Sequence, residues 1–334
     1  MRGVVRAVIV LSGLVLIGIG GVTSWRWVEG YLTRRAFAAY MEAGKARAAR
    51  MLEEVGTLPD ELRESSGLAV SRTQPGVIWS HNDSGDRPNL YAIDVSGRLL
   101  AIVPVTDASA QDWEDMSAGP CPSSIMTTAP LEDRLERSSC LFVADTGNNN
   151  FQREMLTVYV VVEPRLTPGA KPSPVSARSF RYRYPDRPHN AEALAVLPTG
   201  EVTVVTKDGT GAADFFALSA ASIARALASG EVLTAEDTGN TGIEPDAQIS
   251  RLVTGAAISP DGNTLAVRTY NEVFFYSASD GGRGTTRWRV AGRPCFLGDA
   301  EPQGEAIAYL DATTLLLTSE TSRGRRGTIH RLQC

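Results

Sequence analysis

Short, β-rich apolar runs make up the chain from residue 57 onward, separated by turn dipeptides such as Ser-Gly, Asp-Gly and Thr-Gly. Five units repeat one order: a small-residue opening that ends in an apolar residue and Ala or Ser, a strongly β-like run, and a third run. The openings begin at Glu64, Asp112, Asn190, Thr254 and Gln303. Up to four strands in a unit of roughly 50 residues is the signature of a propeller blade. The pattern predicts an all-β propeller of five four-stranded blades, with six as the alternative if the long second unit hides another.

Two further elements follow from the same pattern. The last unit lacks a fourth run before Cys334, and the segment Glu54 to Leu58 is available to complete it, because propellers often close with a strand from the other end of the chain. The segment Ala220 to Gly230 is predicted to be a short helix inserted in the third unit.

An uncharged apolar run, Ala7 to Val22, stands near the start of the chain. It is a little shorter than the roughly 20 residues of a spanning helix, but the residues up to Trp27 can extend it to the membrane interface. We predict an uncleaved signal anchor, a transmembrane helix over residues 1–27, with a cleaved signal peptide as the alternative. Residues 28–56, rich in Ala, Arg and Glu, are predicted to form a helical stalk, and residues 57–334 the propeller domain. The predicted location is the cell membrane, single-pass, with the propeller on the extracytoplasmic side.

The four cysteines form two local pairs along the chain and show no spacing typical of a zinc site. They are Cys121 with Cys140, and Cys295 with Cys334. An even number in this arrangement predicts two disulfides in an oxidising compartment, with reduced core cysteines as the alternative. The second disulfide would fasten the final blade to its neighbour.

Composition and charge limit the classes of protein to which this chain can belong. Hydrophobic residues make up 43% and charged residues 21% of the 334 residues, which excludes disorder over most of the chain. The formal net charge is −5, whereas a nucleic-acid-binding protein usually carries a basic patch, so nucleic acid is not an expected partner.

Polar side chains recur at fixed positions in the five openings when these are aligned on an apolar residue. Two positions before that residue stand Ser66, Glu114, Glu192, Ala256 and Glu305, and four positions before it stand Glu64, Asp112, Asn190, Thr254 and Gln303. Residues two apart share one face of a strand, and the first strand of a blade lines the axis. We therefore expect three glutamates to converge at one end of the central tunnel.

Carboxylates gathered this closely repel one another, and a divalent cation would compensate them. Carboxylate and amide oxygens are hard ligands that suit Ca²⁺ or Mg²⁺. The predicted ligands of a cation, with Ca²⁺ favoured, are Glu114, Asp145, Glu192, Glu305, Asn82 and Asp112. Two alternatives remain open: an ion-pair network with Lys207 and Arg268, and ordinary turn chemistry of Asp and Asn at strand ends.

Few residues are candidates for a catalytic role. His81 and His189 could act as bases, and Lys207 or Arg268 could hold an anionic group, although a lone His at a turn is more often structural. A Ser/His triad is not supported, because His81 and Ser84 lack a third partner at a diagnostic spacing. The sequence contains neither a GxxxxGK[ST] phosphate loop nor a GxGxxG motif after a predicted strand.

Several motifs, in their order along the chain, resemble those of a known group. They are Glu64-Ser-Ser-Gly-Leu-Ala, Trp79-Ser-His-Asn-Asp-Ser-Gly, Leu90-Tyr-Ala-Ile-Asp, Asp112-Trp-Glu-Asp-Met and Val143-Ala-Asp-Thr-Gly-Asn-Asn. Over about residues 60–334 the chain resembles bacterial exported propellers of the SdiA-regulated and phytase-esterase-like (TolB-like) groups. The resemblance implies a calcium-friendly propeller outside the cytoplasm, with Glu114, Asp145, Glu192 and Glu305 at its axial site. It implies no catalytic residue.

Two functions fit these features. The first is a membrane-tethered module that binds a small-molecule or protein ligand, with a cation in the axial site. The second is a metal-dependent hydrolase of an ester, lactone or phosphoester, in which the cation polarises the scissile group. An enzyme would need an open metal face with a His near a metal-bound water. The absence of a nucleophile motif favours the binding module.

Overall fold

The computed structural model describes residues 51–83, 85–126, 139–246, 251–281, 284–298 and 300–334, and five alternate positions between 42 and 50. The predicted signal anchor and most of the predicted stalk lie outside the described residues. None of the helices that the structure describes has both the length and the apolar character that crossing a membrane requires. Residues 48–334 form one compact unit, which contains all the strands described below.

The strands follow one another along the chain in the order that the repeats predict. The chain forms β1 (Leu52–Thr57), β2 (Ser65–Val70), β3 (Ile78–Asn82), β4 (Asn89–Ile93), β5 (Leu99–Thr106), β6 (Trp113–Pro120), α1 (Ser123–Met126), β7 (Ser139–Asp145), β8 (Leu156–Val162), β9 (Val175–Ser176) and β10 (Arg178–Arg183). It continues with β11 (Ala191–Val196), β12 (Val202–Thr206), β13 (Asp214–Leu218), α2 (Ala220–Ser229), β14 (Val232–Thr234) and β15 (Glu236–Asn240). The last elements are β16 (Val253–Ile258), β17 (Thr264–Thr269), β18 (Glu272–Asp280), β19 (Thr286–Val290), β20 (Cys295–Phe296), β21 (Gly304–Tyr309), β22 (Thr314–Ser319) and β23 (Thr328–Gln333).

These strands form five antiparallel sheets, which are the blades of a propeller. The four-stranded cores are β2-β3-β4-β5, β6-β7-β8-β10, β11-β12-β13-β15, β16-β17-β18-β19 and β21-β22-β23-β1. Short strands β9 and β14 add in parallel to the outer edges of the first and second blades, and β20 pairs with β18. The first strands of the five blades contact one another in a closed ring around the axis. The prediction of five blades is confirmed, and the long second unit contributes no sixth sheet among the described residues.

The ring closes as the sequence predicts, with a strand from the start of the propeller completing the last blade. Strand β1 pairs antiparallel with β23, from Leu52 opposite Leu332 to Thr57 opposite Thr328. Residues 52–56 were assigned above to the helical stalk, and this part of the assignment is wrong because they form the closing strand.

Apolar side chains pack between neighbouring blades rather than in one central core. Five clusters of buried residues fill the five spaces between adjacent sheets. Every residue of β12 (Val202–Thr206) is buried because both faces of its sheet are covered. This explains why the middle strands of the blades are nearly continuous apolar runs in the sequence.

Both predicted disulfides are present. Cys121 and Cys140 are bonded within the second blade. Cys295, in β20 beside the fourth blade, is bonded to Cys334, which follows the last strand of the fifth. The second disulfide therefore links the two blades on either side of the last interface.

Candidate functional site

A β-bulge interrupts the first strand of every blade at the same place. The bulged residues, which have no partner in the register with the second strand, are Ser66, Glu114, Glu192, Thr254 and Glu305. A bulge re-aims the side chain of its extra residue, so these five form a ring at one end of the axis. The alignment of the sequence placed Ala256 in this row. That position is wrong by two residues, because Ala256 pairs regularly with Val267 and Thr254 is the bulged residue.

The five bulged side chains divide into two roles. The Ser66 hydroxyl donates to the backbone oxygen of Glu114 in the next blade over 2.6 Å. The Thr254 hydroxyl donates in the same way to the backbone oxygen of Glu305 over 2.9 Å. The glutamates at the other three positions carry the charged groups of the site, which we call the axial opening.

Three carboxylates meet on one side of the axial opening. Asp83 follows β3, Asp112 precedes β6, and Glu114 is the bulged residue of β6; one oxygen atom from each lies within 4.8 Å of the others. The side chain of Glu114 is only 4% exposed. The carboxylates of Asp112 and Glu114 accept no hydrogen bond from any residue that the structure describes.

Gly147, two residues after β7, provides the space that this group needs. A Cβ atom at this position would overlap Asp112 Oδ2 and Glu114 Oε1. The two carboxylates therefore pack directly against the backbone of Gly147, and any larger residue at this position would displace them. The sequence Asp145-Thr-Gly-Asn-Asn contributes this glycine to the site rather than a cation ligand.

Positive charge compensates the acidic group only in part, through Arg153 at Asp112 and Lys207 at Glu114. Burial, followed by the negative charges of Glu192, Asp83 and Asp112, raises the pKa of Glu114 well above its usual range. Burial and the charge of Asp83 also raise the pKa of Asp112. Such shifts are expected where carboxylates are buried together and positive charge offsets their repulsion only in part.

Lys207 is a basic residue of the axial opening, and its charge acts on Glu114 of the acidic group. Its Nζ contacts Glu192 Oε2, donates to the Tyr270 hydroxyl over 3.0 Å, and lies 5.0 Å from the centre of the Tyr270 ring. Burial alone would lower the pKa of Lys207, but the charges of Glu192 and Glu305 outweigh it and raise that pKa. The ion-pair alternative of the sequence analysis is therefore present at Lys207, and Arg268 is also ion-paired, with Glu301.

Gln303 holds a second pair of carboxylates. Its Nε2 donates to Glu305 Oε1 over 3.0 Å and to Glu320 Oε2 over 2.6 Å. Burial raises the pKa of Glu305 to about 8, with help from the charges of Glu192 and Glu320. Burial and the charges of Asp83 and Glu64 raise the pKa of Glu320 to about 7. The acidic side chains thus extend around the opening from the second blade through the first to the fifth.

Two predicted cation ligands are occupied by other contacts. Asp145 forms an ion pair of 2.8 Å with Arg153 and accepts the backbone N–H groups of Gln111 and Asp112. Asn82 accepts the Glu64 N–H over 3.0 Å, and its amide group donates to a backbone oxygen, to Asp86 and to Tyr91. Asp145 does not belong to the group formed by Asp83, Asp112 and Glu114. Asp145 is thus held by an ion pair and backbone N–H groups, and Asn82 by hydrogen bonds around the strand end.

Two further candidates are buried in blade interfaces. His81 is fully buried, its ring lies edge-on to Trp113 with centroids 5.5 Å apart, and burial lowers its pKa. Arg268 is also fully buried and donates to the backbone oxygens of Ala306 and Thr318 in the fifth blade. Both side chains are fully enclosed, so neither presents a polar atom to solvent in this structure.

His189 lies between two aspartates instead of facing the opening. Its Nδ1 is 2.7 Å from Asp208 Oδ2, and its Nε2 is 3.1 Å from both carboxylate oxygens of Asp186. Burial lowers its pKa, but these hydrogen bonds outweigh burial and raise it. Tyr184 and Phe216 pack against the ring and hold His189 in place.

Asp115, which the sequence analysis did not single out, lies in the ring one position after the bulge. Its Oδ2 accepts the backbone N–H of Leu194 over 2.7 Å and that of Ala256 over 3.1 Å, and its Oδ1 accepts the N–H of Met116 over 2.7 Å. One fully buried carboxylate therefore joins the first strands of the second, third and fourth blades. The corresponding positions of the other blades hold Gly67, Ala193, Gly255 and Ala306, which leave room for it.

The pH dependence of stability should follow from Glu305 and Glu320. Their pKa values of about 8 and about 7 exceed the value of about 4.3 in an unfolded chain, so the folded protein binds protons that the unfolded chain has released. Stability is therefore greatest below the unfolded pKa and is lost as pH rises through the folded pKa values. We expect the Tm in the presence of a chelator to fall between pH 5 and pH 8, and to fall less in Glu305→Gln. A Tm that rises over this range would contradict the assignment.

Comparison with known proteins supports no family. No protein-family model and no curated protein matches the chain. A PQQ-bound aldose sugar dehydrogenase from Streptomyces coelicolor is similar at 10% identity over 84% of this chain and 97% of its own, with a TM-score of 0.47. The calcium-binding protein regucalcin from Agrobacterium tumefaciens matches at 14% identity over 84% and 93%, with a TM-score of 0.41. A gluconolactonase from Xanthomonas campestris matches at 12% identity over 84% and 89%, with a TM-score of 0.40.

These likenesses are too distant to say what the chain binds. The strand topology and the closing strand define the class by themselves: the chain folds as a five-bladed β-propeller with an acidic axial opening. The resemblance to SdiA-regulated and TolB-like propellers stays a prediction.

Proposed function

We propose that this propeller is a binding module that holds a divalent cation, with Ca²⁺ preferred, between Asp83, Asp112 and Glu114. The observation that supports the proposal most directly is the carboxylate of Glu114. It is almost fully buried, accepts no hydrogen bond among the described residues, and lies within 4.8 Å of two other carboxylates. Removing a carboxylate from water without a partner costs several kcal/mol, which a bound cation would offset.

The three carboxylates suit Ca²⁺ and leave part of its coordination sphere for oxygen atoms from outside the group. Ca²⁺ takes six to eight oxygen ligands, and three side chains supply only part of this set. The remaining positions face the axial opening and are available to water or to oxygen atoms of a ligand. Lys207, which is paired with Glu192, would add a positive charge for an anionic ligand of the cation. A small molecule or a protein loop that presents a carboxylate fits this arrangement.

We expect CaCl₂ to raise the Tm of the full chain and Glu114→Gln to abolish that rise. At 100 times the Kd a ligand of the native state stabilises it by about 2.7 kcal/mol, which corresponds to about 5 °C for a domain of this size. The matched control is Glu305→Gln, which changes the same bulge position of the fifth blade but lies outside the group of three. Calcium titrations followed by differential scanning calorimetry, with a chelator as the reference, provide the measurement.

The two variants separate the possible results. Retention of the calcium effect in Glu305→Gln and its loss in Glu114→Gln would support the proposal. If no divalent cation raises the Tm of the unmodified chain, the proposal is wrong and the acidic ring is an ion-pair network.

One observation favours the alternative of a metal-dependent hydrolase. The pKa values of Glu305 and Glu320 lie near neutrality, where a carboxyl group can take and return a proton. These glutamates would then serve as the acid or base in place of His81 and His189, which lie outside the opening. Calcium-dependent hydrolysis of a lactone or phosphoester that Glu320→Gln abolishes, without loss of calcium binding, would favour the enzyme.

We further propose that the propeller is tethered to the cell membrane on its extracytoplasmic side. The apolar run from Ala7 to Val22 supports the tether, and the two disulfides support an oxidising compartment.

A further inference from the structure

The outer edge of the fourth blade is basic in a chain whose formal net charge is −5. This edge is β19, which pairs with β18 on one side and has no strand partner on the other among the described residues. Residues 281–298 contain four arginines and neither Asp nor Glu. The structure describes the side chains of Arg287, Arg289 and Arg293, and all three are exposed.

These three arginines have no charged partner in the part of the chain that the structure describes. None of them forms an ion pair or a side-chain hydrogen bond there. The nearest acidic residues along the described chain are Asp280, which has an interaction of its own, and Glu301, which is buried and paired with Arg268. The guanidinium groups are therefore available to anionic groups from outside the chain.

Val290 adds an apolar group to the same edge. Its exposed fraction of 70% is the largest among the exposed large apolar side chains that the structure describes. Side chains alternate along a strand, so Trp288 and Val290 lie on one face of β19 and the arginines at 287 and 289 on the other. Trp288 is buried and donates to Thr203 of the third blade over 3.2 Å, whereas Val290 ends the strand in solvent. A flat surface that meets the edge of β19 contacts both faces.

We call Val290 and the arginines at 287, 289 and 293 the basic rim. Exposed basic side chains beside an exposed apolar one are typical of surfaces that bind anionic phospholipid headgroups. The outer strand of the second blade, β10, also carries exposed arginines, but its edge is covered by β14. There Arg178 donates to a backbone oxygen and Arg183 to the Thr234 hydroxyl. That strand therefore serves as a control.

The point at which the chain enters the propeller favours a membrane as the partner. Leu52, the first residue of β1, pairs with Leu332, and the chain ends two residues later at Cys334. Cys334 is bonded to Cys295, with the two Cα atoms 6.3 Å apart. Through these links the entry point lies within about 25 Å of Arg293. A tether that enters at Leu52 is thus attached on the same side of the propeller as the basic rim.

We propose that the basic rim docks the propeller by its edge onto the anionic phospholipid surface of the membrane that anchors the chain. The inference rests on the membrane tether proposed above. Phosphate oxygens accept hydrogen bonds from the three arginines, and Val290 enters the headgroup region. Each basic residue near an anionic surface strengthens the attraction about fivefold. The tether supplies an effective concentration in the millimolar range, so a contact too weak for a free protein is sufficient here.

Docking by the edge leaves the axial opening uncovered. The fourth strands of the blades form the rim of the propeller, and the first strands surround the axis. A membrane against β19 lies beside the opening, so that a ligand still has access to the carboxylates of Asp83, Asp112 and Glu114. Docking therefore does not depend on a cation at the axial opening.

The test places an environment-sensitive fluorophore at position 290 of the full chain in lipid nanodiscs. The four cysteines form two disulfides, so Val290→Cys provides a single thiol for labelling. We expect a blue-shifted emission in discs of equal parts phosphatidylcholine and phosphatidylglycerol, but not in discs of phosphatidylcholine alone. Salt at about 1 M, which screens charges beyond about 3 Å, should abolish the shift. Val232→Cys is the matched control, an exposed valine of the second blade, and should emit alike in both discs.

Charge reversal on two strands locates the contact. Arg287→Glu combined with Arg289→Glu should lower the ratio of docked to undocked label at position 290 at least tenfold. Arg181→Glu combined with Arg183→Glu makes the same change of net charge on the outer strand of the second blade and should leave this ratio unchanged. All four arginines are exposed, so both variants are expected to fold.

The outcomes separate the docking from the tether. A chain that does not remain with the discs in size-exclusion chromatography would overturn both. A chain that remains with them but shows no lipid-dependent shift at position 290 would overturn the docking alone. A shift that persists in phosphatidylcholine discs and in detergent would mean that a second copy of the chain covers the edge, which also overturns it. Equal loss in the two double variants would mean that net charge, not the basic rim, attracts the propeller.

Discussion

Replacement of Asp115 by Ala is expected to lower the free energy of unfolding by about 3 to 6 kcal/mol. The substitution removes the acceptor of three backbone N–H groups, those of Leu194, Ala256 and Met116, in the centre of the ring of first strands. A buried donor that loses its partner costs about 1 to 3 kcal/mol, and water has little room to replace the carboxylate here. The measurement is urea unfolding followed by circular dichroism, with the disulfides intact.

Asp115→Asn is the variant to compare with Asp115→Ala, because it retains part of the hydrogen bonding. Its side-chain oxygen can still accept from Leu194 and Ala256, whereas its amide group faces the N–H of Met116 as a second donor. We expect the free energy of unfolding of Asp115→Asn to lie between that of the wild type and that of Asp115→Ala. A change below about 1 kcal/mol in Asp115→Ala would show that water satisfies the three donors and that the carboxylate does not hold the blades together.

A chain that begins at Leu58 is expected to lose cooperative unfolding. It lacks β1, the fourth strand of the last blade, and leaves the outer edge of β23 exposed over its whole length. An open apolar edge of this kind also promotes aggregation. A chain that begins at Ala48 retains β1 and serves as the control, because the compact unit starts there.

The two chains should differ in their calorimetric profiles and in limited proteolysis. We expect one sharp transition and a protease-resistant core for the chain from Ala48, and a broad transition with rapid cleavage for the shorter chain. Equal Tm values would mean that the disulfide between Cys295 and Cys334 holds the ring closed without the strand.

The architecture could be predicted from the sequence because its information is local. Each blade repeats one hydrophobic pattern, and the middle strands are continuous apolar runs because both their faces are covered. The fourth strands were harder to recognise. In the second blade this strand is Arg178–Arg183, whose alternating exposed arginines give no continuous apolar run.

The site could be predicted only in part, because bulges and long-range pairs are not visible in a periodic pattern. The three glutamates share one position that the alignment of equivalent strands reveals, because the blades repeat. In the fourth blade an apolar match to Ile258 concealed the bulge at Thr254. Asp145 has the residue type of a cation ligand, but its ion pair with Arg153 is not visible in the sequence, and the alignment of the openings does not include Asp83.

The bulges allow the residues around the axial opening to change in sequence without a change of fold. Because the bulged residue makes no ladder pair, its identity is uncoupled from the pairing of the strand that carries it. Exchanging Ser66 or Thr254 for a carboxylate would cost one inter-blade hydrogen bond and would add a charged group to the opening. The residues that determine ligand chemistry and those that maintain the fold are thus neighbours in the same strands. Substitution at the bulge can therefore change ligand specificity while the strand pairing stays the same.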